Sequence, residues 1–144
     1  MNKTIKICLA IAVVLLLAVC VYAGFLAKNI AGITFITTNG EISQAQLRGE
    51  TYTVTYVYPQ YLGVLYGRAY GKVAEVRKDL PPHMSRFVLY HEIYHLQDND
   101  FSSKVTREVR ANLAAAIYEP LGFAQTVWST LCDMGRLKFY WNTY

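Results

Sequence analysis

The chain predicts an α+β fold, with an apolar amino-terminal transmembrane helix followed by one minimal domain in which a small antiparallel or mixed sheet packs on about three helices. Three observations carry this expectation. Residues Ile7 to Ala27 run without a charge, residues 51–58 alternate threonine with tyrosine and valine, and after Pro81-Pro82 the apolar spacing changes from two to three and four. A chain of 144 residues holds one ordinary domain at most.

The first element is the run "ICLAIAVVLLLAVCVYAGFLA", closed by Lys6 and Lys28. At about 1.5 Å per residue it makes roughly 30 Å of helix, the thickness of a bilayer's hydrocarbon core. A signal peptide would use Lys3 and Lys6 as its basic start and Val21-Tyr22-Ala23 as its cleavage site. The run exceeds the roughly 7–15 residues of a signal's apolar region, so residues 1–28 are read as an uncleaved anchor and residues 29–144 as the domain. Leu17-Ala18-Val19-Cys20 suggests a lipoprotein site, but valine fits poorly before the cysteine. Lys3, Lys6 and the amino terminus outweigh Lys28, which puts the domain on the extracytoplasmic side of the membrane, or secretes it if the segment is cleaved.

Net charge is +4, and setting aside the three lysines that flank the apolar run leaves 11 basic against 10 acidic residues. A domain so close to neutral offers no electrostatic case for nucleic acid, while the anchor makes the membrane a partner. Cys8 and Cys20 lie in the apolar run and Cys132 is alone in the domain, which excludes an intradomain disulfide and a Cys-x-x-Cys zinc knuckle. Cys132 is expected to be a small buried residue.

Residues 29–50 read as a loosely structured connector with turn signals at Asn39-Gly40 and Gly49. In "TYTVTYVY" the period of two predicts a strand that Pro59 ends. "LGVLYG" and "YGKVAEVRK" could form two more strands, with Gly67 to Gly71 permitting a turn between them. Pro81-Pro82 suits the opening of a helix, and from His83 to about Asp98 the residues Met84, Phe87, Val88, His91 and His95 share one helical face. A second helix is predicted from Ser103 to Tyr118, with Val105, Val109, Leu113 or Asn112, and Ala116 on one side. A third follows Pro120, carries Phe123, Val127, Trp128 and Leu131, and ends at Gly135.

Chemistry concentrates in "RFVLYHEIYHLQDND". His91 and His95 stand at i and i+4, so both imidazoles can reach one ion about 2.0 Å from each ring nitrogen. Glu92 is then placed to hold a water and accept its proton, the general-base role in zinc-dependent peptide hydrolysis. Two histidines decorating a solvated helix, or satisfied in a core, are the plain alternative. Against it, the chain has three histidines in all, and two fall in register on an apolar face where unpaired imidazoles are costly to bury.

A catalytic zinc needs a third protein ligand beside an open position. Glu108 is the first candidate, because a return of the chain would lay the second helix beside the first, and Asn112 one turn on could orient a ligand. Asp98 and Asp100 are rivals. Asp98 could coordinate the ion or accept a histidine ring N–H, and a supporting or capping role suits it better, since residues further along the same helix are carried away from the ion. His83, two turns before His91, is too far and belongs to the helix start.

"HEIYH" followed by "EVRANLAAAIYEP" resembles the gluzincin metallopeptidases, in which HExxH is completed by a glutamate of a downstream Glu-x-x-Ala-Asp/Asn helix. The run Ala111-Asn112-Leu113-Ala114-Ala115 with Pro120 after it is most similar to the ImmA/IrrE-type peptidases, over residues 84–120. The resemblance implies a zincin-like domain and one zinc ion held by His91, His95 and Glu108. It also implies Glu92 as catalytic base and a protein or peptide substrate. Tyr94 stands where these families often carry glycine. An oxyanion stabiliser is expected as Tyr, His or Arg, and Tyr90, Tyr94 and Tyr118 are nearest in sequence among 12 tyrosines. Two other classes stay open: a metallopeptidase-like binding or regulatory protein without turnover, and a structural zinc closed by a fourth side chain such as Asp98.

Overall fold

Proline and glycine set most of the element boundaries in the computed structural model, which describes residues 3–98 and 103–143. The first helix, α1 (Lys3–Ala27), contains with the short 3-10 turn after it the stretch Ile7–Ile30, long and apolar enough to cross a membrane. Its side chains are exposed along most of its length. The last turn is different: Ala23, Leu26 and Ala27 are buried, and Ile30 sits fully inside the core.

Residues 29–50, expected as a loose connector, instead carry two strands, β1 (Thr34–Thr38) and β2 (Glu41–Leu47), which pair antiparallel. The turn signals stand where expected. Asn39-Gly40 joins β1 to β2 and Arg48-Gly49 joins β2 to β3 (Glu50–Val57), and all four residues have positive φ, the two-residue geometry that matches strand twist. The strands between them were hard to see because β2 buries fully only Ala45 and Leu47, against Gln44 and Gln46 outside, and the half-buried Ile42 falls out of that alternation at a register shift. In β3 the period of two holds: Tyr52 and Val54 are buried while Thr51, Thr53 and Thr55 are exposed.

Pro59 opens a one-turn helix, α2 (Pro59–Leu62), and residues 63–66, expected in the strand "LGVLYG", form no strand. The next strand is β4 (Gly67–Tyr70), formed by the residues expected to turn, and the turn lies at Gly71 before β5 (Val73–Arg77). Topology explains the shift. β5 pairs parallel to β3, with Val54 opposite Ala74, so the chain must first travel back along the sheet. Strand β4 then folds antiparallel onto the outer side of β5, giving a mixed sheet in the order β1-β2-β3-β5-β4.

One sheet face packs on α3 (Pro82–Gln97), whose Met84, Phe87, Val88, Leu89, Ile93 and Tyr94 form the middle of the core. Helix α4 (Lys104–Tyr118) starts at Ser103, whose hydroxyl accepts the Thr106 N–H at 3.3 Å. Its buried face is Ala111, Ala114 and Ala115, whereas Val105 and Val109, expected on the inner side, are exposed. Small side chains there let α1 and α3 approach closely.

Helix α5 (Pro120–Leu131) ends four residues before the expected Gly135, and a further helix, α6 (Met134–Thr143), follows. Asp133 resets the chain, since its carboxylate accepts the Arg136 N–H at 3.1 Å in the first turn of α6. Cys132, expected to be buried, is exposed in this junction. Among the described residues, six helices and a five-stranded mixed sheet thus make the α+β architecture.

Candidate metal centre

His91 and His95 occupy successive turns of α3 on the side turned toward α4. Their Nε2 atoms lie 3.0 Å apart, with ring centroids at 4.7 Å. Glu108 reaches in from the second turn of α4, its Oε2 3.2 Å from His91 Nε2 and its Oε1 3.4 Å from His95 Nε2. Among the described residues this is the set of three His, Cys, Asp or Glu side chains whose ligand atoms gather within 4.8 Å of one another.

The donor set fits a zinc ion. Two imidazole nitrogens and a carboxylate oxygen, each about 2.0–2.1 Å from one ion in tetrahedral geometry, stand roughly 3.3 Å apart. The two nitrogens, 3.0 Å apart, and Glu108 Oε2, 3.2 Å from His91 Nε2, stand close to that spacing, while the other carboxylate oxygen is the one 3.4 Å from His95 Nε2. Protonation favours the same use. Burial pushes the His91 imidazole below its usual pKa, the neighbouring His95 adds to this, and Glu108 opposes it. Burial also acts to raise Glu108, but hydrogen bonds from the two imidazoles outweigh it and hold the carboxyl well below the usual carboxylate range. The two directions compete for one proton. Burial decides for a neutral His91 facing an ionised Glu108, and those are the protonation states that metal ligation requires.

Glu92 is 7% exposed and lines the same cleft as these three side chains. Strand β4 lies directly over it. A Cβ on Gly67 would come within 2.6 Å of Glu92 Oε1 and of Val88 Cγ1, and 2.9 Å from the Glu75 carbonyl oxygen, so only glycine lets the strand settle there. Burial first, and the Glu108 charge second, raise the Glu92 carboxyl well above its ordinary pKa. The cleft, about 820 Å3, has apolar walls from Phe87, Val88, Phe123 and Val127 and cations at Arg68, Lys104 and Arg107.

The other expected residues lie elsewhere. Asp98 is buried at the end of α3, with its Oδ1 3.4 Å from Arg110 Nη2, and takes no part in the cluster. Asp100 lies outside the described residues. His83 is 3.2 Å from Glu119 Oε2 near the start of α3, as its position predicts. Asn112 lines the cleft one turn beyond Glu108. His91 Nδ1 is buried without a hydrogen-bond partner, and the ring rests beside Phe87, at 6.3 Å between centroids.

None of the three tyrosines considered for oxyanion stabilisation reaches the cleft. Tyr90 stacks on Tyr118, the Tyr118 hydroxyl donates to the Ala27 carbonyl at 3.1 Å, and Tyr94 is fully buried with its hydroxyl accepting from Asn29. Two residues missed in the sequence stand there instead. Gly67 was read as part of a turn, although an isolated strand glycine signals close approach. Arg107, whose Nε is buried without a partner, lines the cleft three residues after Lys104 on the same side of α4. Comparison of the chain with protein-family models, curated proteins and solved structures finds no match.

Proposed function

We propose that this chain is a membrane-anchored zinc metallopeptidase with a minimal zincin-like domain on the extracytoplasmic side, cutting protein or peptide substrates. The observation that carries the proposal is the convergence of His91, His95 and Glu108 to 3.0–3.4 Å, beside a buried Glu92, in a cleft large enough for a polypeptide segment. His91, His95 and Glu108 would hold the ion, whose chemistry when bound is that of a Lewis acid for the scissile carbonyl and for water.

Glu92 does the proton work. To act as a base it must be ionised, and a divalent charge at its neighbours opposes the burial that otherwise keeps it protonated. It then accepts a proton from water at a carboxylate oxygen and returns it to the leaving amine. Strand β4 over Glu92 keeps bulk water from that carboxylate. Arg107, with an unpartnered Nε at the cleft, is the group best placed to meet negative charge that develops on the substrate. A structural zinc closed by Asp98 is disfavoured, because Arg110 holds that carboxylate.

The test is metal analysis and peptide-library cleavage by the purified full chain, beside the Glu92→Gln variant. We expect one zinc per chain in both proteins and cleavage that falls at least about 100-fold in the variant, since an amide cannot take the water's proton. Zinc without cleavage in the wild type would leave a non-catalytic binding protein, and unchanged cleavage in Glu92→Gln would remove Glu92 from the mechanism.

A further inference from the structure

The outer surface of α5 and α6 is unusual for a water-facing one. From Pro120 to Cys132 no residue is charged. Along α5 and α6, Leu121, Trp128, Leu131, Met134 and Trp141 are half to almost fully exposed, Trp128 at 71% and Trp141 at 88%. Met134, Lys138 and Trp141 recur at spacings of four and three along α6, so one exposed face combines apolar groups with a cation. Tryptophan beside lysine is the composition of a membrane–water boundary.

Helix α1 fixes where the membrane lies. α1 and α4 pack with their carboxyl ends together, because Tyr118 in the last turn of α4 donates to the carbonyl of Ala27, the last residue of α1. Packed helices cross at moderate angles, so α1 departs toward the amino-terminal end of α4. Helix α5 runs back along α4: Thr130 and Leu131 at its end line the cleft together with Lys104 and Arg107 at the start of α4. Phe139 and Thr143 of α6 join the same rim. The apolar α5–α6 face therefore lies at the end of the domain toward which the membrane-length helix extends.

We propose that the α5–α6 face, with Trp128, Leu131, Met134 and Trp141 as its apolar contacts, is seated in the lipid interface of the bilayer that α1 crosses. The inference rests on the anchored topology proposed above and is independent of the peptidase chemistry. Its occupant is the phospholipid surface: apolar side chains enter the acyl boundary, and the exposed Lys138 meets headgroup phosphate. The cleft mouth, bordered by Leu131 and Phe139, then opens beside the bilayer.

The chain's own fluorescence tests this, because its two tryptophans are Trp128 and Trp141. The full chain is reconstituted in phosphatidylcholine vesicles, recovered by flotation, and excited where tryptophan alone absorbs. Vesicles with phosphatidylcholine brominated high on the acyl chain should quench most of the emission, whereas aqueous iodide should quench little. Trp128→Phe and Trp141→Phe assign each signal. Flotation with emission open to iodide and insensitive to bromine overturns the proposal and leaves the anchor intact. Emission shielded from both quenchers also overturns it, in favour of a second copy of the chain covering the face. Failure to float removes the anchored topology and the seated face together, with the metal centre untouched.

Discussion

Glu92 and Glu108 are pushed in opposite directions within one small volume. Glu108 accepts from two imidazoles, which favours its ionised form, whereas Glu92 meets burial and the Glu108 charge, which both favour its protonated form. The sign of the consequence follows by linkage. A carboxyl whose pKa is raised on folding binds more protons folded than unfolded, so its stability contribution is present below the unfolded value near pH 4 and is lost as pH rises through the folded value. In chelator, Glu92→Gln should therefore melt higher than wild type, by a margin that grows from acid to neutral pH in calorimetry at several pH values. An equal or lower melting temperature at pH 7 would contradict a buried, raised Glu92. The third ligand has its own test. Glu108→Gln should weaken zinc affinity sharply in competition with a fluorescent chelator, because an amide neutralises none of the ion's charge, and Asp98→Asn should cost no more than the roughly 10- to 100-fold typical of indirect changes. At this scale the gathering of His91, His95 and Glu108 was legible, the histidines from their spacing of four and Glu108 from the expected return of the second helix beside the first. The neighbouring tyrosines misled because nearness in sequence places side chains all round a helix, and Tyr90, Tyr94 and Tyr118 point into packing.

Elements were legible where one face is apolar and the other polar. β3 and α3 satisfy that condition, and both stand where their periods predict. β1 and β2 did not announce themselves, because Thr and Gln dominate them and only the two turns betray the hairpins. α6 was hidden by its neighbour: a single apolar pattern seemed to run to Gly135, although Asp133 starts a new helix. The contact of β4 with α3 is the element-scale feature that bears on the site. Gly67→Ala must displace either the strand or the Glu92 carboxylate, since Val88 and the Glu75 backbone leave no room on the other sides. We expect a loss of about 1–3 kcal/mol in denaturant unfolding, the usual cost of overpacking, with cleavage reduced further than the folded fraction explains. Gly122→Ala presses on the His83 carbonyl and Phe87 Cβ, between α5 and α3, and should destabilise by a similar amount while leaving zinc stoichiometry unchanged in whatever folds.

The whole molecule joins its membrane-length helix to its site with almost no slack. Ala23, Leu26 and Ala27 are already buried in the domain and Ile30 is in its core, so no flexible stalk separates the apolar helix from the folded unit. The sequence made the helix legible by its length, but not this rigidity, because Lys28 and the polar run after it read as a connector. Reach follows from size. A domain of this length has a radius of gyration of roughly 13–14 Å, so under the anchored topology proposed above a cleft anywhere on it would stand within about 40 Å of the bilayer surface. A substrate anchored in the same vesicle should thus be cut only when its scissile bond lies in that layer. Polyproline spacers add about 3.1 Å per residue, so a series from zero to about 20 prolines carries the bond from the surface to roughly 60 Å. Cleavage in single vesicles should be fastest with the shortest spacers that admit the segment to the cleft, and should collapse beyond about 13 prolines. The same peptides free in solution should show no such dependence. Equal rates along the tethered series would mean that the domain moves away from the membrane, against the burial of the last turn of α1.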